Sequence, residues 1–140
     1  MRYILIAAAL AGCVGQGGVG PDAGGSAGQN AALNPARDFA ENCAACHGPS
    51  GRGDGAAGAG LSPRPADLTG LAARNGGVFP TTRVMAYIWR GEGAAAHRAM
   101  PNFAGLMEGA LVPYDGGDGI ETPTPERLVA LAEYLKTVQE

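Results

Sequence analysis

The chain has 140 residues, enough for one domain and little more. Its formal net charge is −3 and Lys136 is its only lysine, so it carries no basic face of the kind that binds nucleic acid. It is 46% hydrophobic, yet much of that count is alanine, 24 residues are glycine, and the rings number only three Phe, one Trp and four Tyr, so a core built from these side chains alone is thin.

Residues 1–12 read as a targeting segment. Arg2 supplies a minimal positive start, and Tyr3 to Leu10 is a short apolar run, far below the about 20 apolar residues that a membrane-spanning helix needs. Leu10-Ala11-Gly12-Cys13 resembles the lipobox of bacterial lipoproteins. There, small residues admit the peptidase, the thiol takes a diacylglyceryl group, and the cysteine becomes the first residue of the mature chain. Cys13 is therefore the expected lipid anchor, on the periplasmic side of a bacterial membrane. The alternative is an ordinary secretory signal cut at another small-residue site. Residues 13–33 are rich in Gly, Ala, Gln and Asn with no apolar period, and read as a flexible tether.

A domain is expected from Asn34 onward. Asn34-Pro35 pairs an N-capping side chain with proline at the first helical position. Ala36, Phe39, Ala40 and Cys43 then fall on one helical face, which predicts a helix running from Pro35 into the next motif with Phe39 inward. That motif is Cys43-Ala44-Ala45-Cys46-His47, the C-x-x-C-H signature of covalent haem attachment. The spacing lets two thiols from one helical turn reach the two vinyl groups of one porphyrin edge, and the adjacent imidazole becomes the proximal iron ligand. A redox dithiol, a zinc half-site and a structural disulfide are the competing readings. The first wants a βαβ setting and the second wants another ligand pair, whereas the chain offers only Cys13 and His97 besides. A buried haem c would also supply the apolar bulk that the side chains lack.

Residues 48–60 read as a glycine-rich loop, with Gly48 closing the turn after His47. In Leu61 to Leu68, Pro63 and Pro65 favour an extended path. The Pro65 carbonyl is the expected acceptor for the His47 Nδ1–H, and Leu68 is expected to pack on the porphyrin; a plain surface loop is the alternative. Thr81 to Arg90 predicts a short helix with Val84, Tyr87 and Ile88 on one face and Gly91 as its stop. Tyr87, Trp89 and Arg90 can reach haem propionates or serve packing. Met100, backed by Pro101 and 53 positions after His47, is the expected second axial ligand. Met85, Met107 and His97 are the other candidates. Residues 111–124 read as an irregular solvated loop whose acidic residues lack the EF-hand spacing. Thr124-Pro125 repeats the cap-then-proline start, and Leu128, Leu131, Leu135 and Val138 form the stripe of a last helix, expected to cross the Phe39 face.

Taken together, residues 34–140 resemble a class I cytochrome c. The haem motif, the Phe39 helix before it, Met100-Pro101 and the helix with Leu131-x-x-Tyr134-Leu135 carry the likeness. The resemblance implies an all-α cytochrome c fold, three to five short helices wrapped on one haem c, with the terminal helices crossing near a right angle. It implies thioethers at Cys43 and Cys46 and axial ligation by His47 and Met100. The expected function is one-electron transfer with redox partner proteins such as an oxidase, a dehydrogenase or a bc1-type complex, without catalysis of its own. A haem enzyme subunit or a gas-binding sensor with a labile sixth ligand is the other reading.

Overall fold

The computed structural model describes residues 33–90 and 100–140, with Arg90 by its backbone alone. The leader, Cys13 and the tether up to residue 32, together with His97, lie outside the described residues.

The first helix, α1, spans Pro35–Asn42. The Asn34 side chain accepts the Arg37 amide at 3.0 Å, satisfying one of the donors a helix start leaves open. The expected single helix is jointed: Cys43 departs from helical angles at φ −119° and ψ −37°, and α2 restarts over Ala44–His47. The His47 amide still reaches the Cys43 carbonyl at 2.9 Å, so the motif remains one tight turn. A short 3-10 turn, Ala56–Gly58, precedes α3 at Leu71–Arg74, α4 at Thr81–Arg90 and α5 at Ala104–Met107. The last helix, α6, is Glu126–Thr137.

The described residues thus hold six α-helices, one more than the upper expectation. They also hold a β-hairpin where an irregular loop was expected. β1 (Leu111–Asp115) pairs antiparallel with β2 (Glu121–Pro125), so the fold is not purely helical. Prolines ordinarily argue against a strand because they cannot donate to the ladder. Here Pro113 faces Pro123, and Leu111 faces Pro125 two steps along the same register. Pairs two apart share one class in an antiparallel ladder, so these prolines fit the class that exchanges no backbone bonds. The turn is closed by the Asp115 carboxylate, which accepts the amides of Gly117, Asp118 and Gly119 at 2.8, 3.1 and 3.0 Å. Thr124 is consequently a strand residue, and its hydroxyl donates to the Thr122 carbonyl instead of capping α6; Pro125 occupies the cap without a side-chain bond.

The core lies around α6, which touches α1, α4, α5 and both strands. Leu128, Leu131, Ala132 and Leu135 are its buried stripe, Leu131 at 0% exposure. Phe39 enters from α1 at 3% exposure and meets Tyr134 with ring centroids 5.7 Å apart and planes tilted 48°. The expected meeting of the two terminal apolar faces is therefore present. On α4 the buried face is Val84, Met85 and Ile88; Tyr87 is 40% exposed and Trp89 54%, so neither belongs to it.

α1 and α6 are also joined by charge. Arg127 donates to both carboxylate oxygens of the buried Asp38, Nε to Oδ2 at 3.2 Å and Nη2 to Oδ1, while its Nη1 reaches the Gly105 carbonyl at 3.0 Å. This fork ties α1, α5 and α6 together, and Asp38 raises the Arg127 pKa further above its already high value.

Candidate haem-binding site

The site is built on α2. Cys43, Cys46 and His47 lie within one turn and are each half-buried. Cys43 packs against the edge of the core. Burial pushes its thiol up to about 11, with the charges of Asp38 and Cys46 adding. A redox dithiol is activated by a lowered thiol pKa, so this environment speaks against that reading. A zinc site would need more donors, and no cluster of three or more His, Cys, Asp or Glu side chains suited to a metal ion occurs among the described residues.

His47 is oriented by a backbone carbonyl, as expected, but by a different one. Its Nδ1 lies 2.9 Å from the Ala66 oxygen. A carbonyl only accepts, so Nδ1 carries the proton and the Nε2 lone pair is left for a metal. The expected acceptor, Pro65, has its oxygen elsewhere: it lies 2.4 Å from where a Cβ on Gly53 would stand, pressed on that loop. In an extended segment successive carbonyls point to opposite sides, so only one of the two neighbours can face the imidazole. Leu68 is half-buried against the core and donates its amide to the Gly51 carbonyl at 2.7 Å.

The segment around Ala66 is itself held. The Asp67 carboxylate accepts the Thr69 amide at 2.8 Å and the Thr69 hydroxyl at 2.7 Å. The hydroxyl and then the amide keep the Asp67 pKa below the usual carboxylate range. Arg74 donates from α3 to the Asp67 carbonyl.

Two glycines let the loop after the motif lie on it. Gly48 has φ +78°, and a Cβ there would stand 1.8 Å from an Asp54 carboxylate oxygen. Gly55 donates to the Cys46 carbonyl at 3.1 Å and comes so close that a Cβ would stand 2.4 Å from the Ala45 oxygen. The loop is thus a close-fitting wall behind the thiol-bearing turn.

Met100 stands half-buried in a bend ahead of Pro101 and α5. Met85 is core and Met107 packs on the core. Ala66, Asp67, Gly55 and Arg74 were not singled out from the sequence. A backbone acceptor leaves no mark on its side chain. The run Pro65-Ala66-Asp67-Leu68-Thr69, an Asp two residues before a Thr, is the one signal that pointed to a self-bonded turn there.

Two thiols on one turn and an imidazole whose Nδ1 is taken up by a carbonyl, with Nε2 left outward, form a donor set suited to a covalently attached haem, in a small helical domain. A family model, Cytochrome c, matches residues 34–139. The chain belongs to the cytochrome c family, which binds haem c covalently and serves haem-based electron transfer. No curated protein and no solved structure matches it.

Proposed function

We propose that the chain is a one-electron carrier with one haem c, His/Met-ligated and held to the periplasmic side of a bacterial membrane by a lipid on Cys13. In this reading residues 1–12 are a lipoprotein signal, 13–33 a tether and 34–140 the working domain. Bound haem c supplies the iron whose ferrous and ferric states store and release the electron. Cys43 and Cys46 would anchor it by thioethers, and His47 and Met100 would supply a nitrogen and a sulfur to its iron. The observation that carries this reading is the bond from His47 Nδ1 to the Ala66 oxygen, because it leaves Nε2 available as a ligand and strengthens it as a donor.

With His47 and Met100 both given to the iron, the bound haem would have no position left for a substrate. A thioether stabilises ferrous iron and raises the potential, which suits passage of electrons to an oxidising partner. A net charge of −3 with one lysine makes docking on an oxidase, dehydrogenase or bc1-type complex less dependent on charge. The test is carbon monoxide binding to the reduced, mature protein, together with a redox titration. A closed carrier resists carbon monoxide at neutral pH, and Met100→Ala both admits it and lowers the potential. Rapid binding by the parent protein contradicts the closed-carrier reading and favours a gas-binding or enzymatic haem.

A further inference from the structure

Four successive carbonyls, residues 66–69, each accept a hydrogen bond, from donors in three separate parts of the chain. Ala66 takes His47 Nδ1 at 2.9 Å, and Asp67 takes Arg74 Nη2. Leu68 takes Gln139 Nε2 at 2.8 Å, and Thr69 takes the Glu140 amide at 2.9 Å. The first of these carbonyls orients the haem histidine; the third is held by a residue just beyond the end of α6.

Gln139 makes three bonds with one amide group. Its Nε2 donates to the Leu68 carbonyl and, at 2.7 Å, to the Leu135 carbonyl in the last turn of α6, one of the oxygens a helix end leaves without an internal partner. Its Oε1 accepts the Ala72 amide of α3 at 2.8 Å. One side chain thereby binds the end of α6, the start of α3 and the segment that carries the Ala66 oxygen. Only a primary amide offers two donors and an acceptor in one plane. A carboxylate of the same size keeps the bond to Ala72 but turns a lone pair toward two carbonyls.

We propose that Gln139 is a positioning residue for the haem ligand: by fixing the Leu68 carbonyl it keeps the Ala66 oxygen within hydrogen-bonding reach of His47. The inference rests on the haem reading above. A firm acceptor at Nδ1 makes the imidazole a stronger donor and favours ferric iron. Releasing the segment weakens that acceptor, exposes the Nδ1 proton to solvent and favours ferrous iron.

The experiment compares the haem-loaded parent, Gln139→Ala, Gln139→Glu and a neighbouring control, Thr137→Ala, whose hydroxyl bonds only within α6 to the Tyr134 carbonyl. The readouts are the solvent-exchange rate of the His47 Nδ1 proton by NMR and the reduction potential. Both Gln139 variants are expected to speed exchange at least tenfold and to raise the ferrous-to-ferric ratio at fixed applied potential about threefold, or about 28 mV at 59 mV per decade. Gln139→Glu is expected to exceed Gln139→Ala, and Thr137→Ala to match the parent. Gln139 variants that melt earlier while exchange and potential stay at parental values overturn the inference, because Gln139 is then structural only. A parent chain that takes up no haem overturns instead the reading on which the inference stands.

Discussion

Gly55→Ala probes how closely the loop is seated on the Cys43–His47 turn. The backbone at Gly55, φ −63° and ψ 139°, suits any residue, so the substitution carries no conformational penalty. What it meets is steric: the new Cβ would stand 2.4 Å from the Ala45 oxygen, 2.5 Å from the Cys46 carbon and 2.6 Å from the Cys46 oxygen. All three are backbone atoms in or beside hydrogen-bonded helix and cannot swing aside as a side chain does. Ordinary contact begins at 3.4 Å, so the loop must retreat by about 1 Å, which breaks the 3.1 Å bond from the Gly55 amide to the Cys46 oxygen. Overpacking of this kind costs about 1–3 kcal/mol, and the lost bond adds about 1 kcal/mol. A loss of about 2–4 kcal/mol lowers the melting temperature of a domain this size by roughly 10–25 °C. Thermal melts followed by far-ultraviolet circular dichroism and by haem absorbance measure it. Gly60→Ala is the control, since nothing lies within 4 Å of a Cβ there, and it is expected to be neutral or slightly stabilising. A Gly55→Ala protein that melts with the parent, or a Gly60→Ala protein that falls as far, refutes the reasoning.

Leu131→Ala removes a side chain at 0% exposure from the centre of the core and should cost about 2–5 kcal/mol in a denaturant titration; a loss under about 1 kcal/mol would show that the core lies elsewhere. Asp38→Asn breaks the fork to Arg127. Removing one partner of a fully buried pair costs about 3–5 kcal/mol, but the Arg127 side chain is 38% exposed, so about 1–2 kcal/mol is expected. Equality with the parent would show the pair to be inert. Asp67 has a lowered folded pKa, so its contribution is complete above its ordinary value of 3.8 and is lost as pH falls below that. The stability gap between the parent and Asp67→Ala should therefore shrink on acidification from pH 6 into that range; a gap that is constant or widens contradicts the assignment.

Where side chains carry the signal, structure and expectation agree. Asn34-Pro35 starts α1, the Leu128, Leu131 and Leu135 stripe faces Phe39, and Val84 and Ile88 face inward from α4. Two of the departures share a physical cause, which is that backbone atoms decide them. The Ala66 oxygen, and not that of Pro65, meets His47 because of which way one peptide plane faces, and any residue could present it. The hairpin escaped because Pro113, Pro123 and Pro125 lower strand propensity, a penalty that vanishes at register positions needing no donor. Tyr87 shares a helical face with Val84 by spacing, but where the core ends on that face depends on packing partners distant in sequence.

Covalent attachment at Cys43 and Cys46 is the claim beneath all the others. It is tested most directly by expressing the chain with a haem-ligation apparatus, extracting the purified protein with acidified organic solvent, and measuring its mass. Protein heavier by one haem that survives extraction, with the added mass lost in the Cys43→Ser, Cys46→Ser double variant, is the expected result. A colourless protein, or haem that leaves with the solvent, contradicts it.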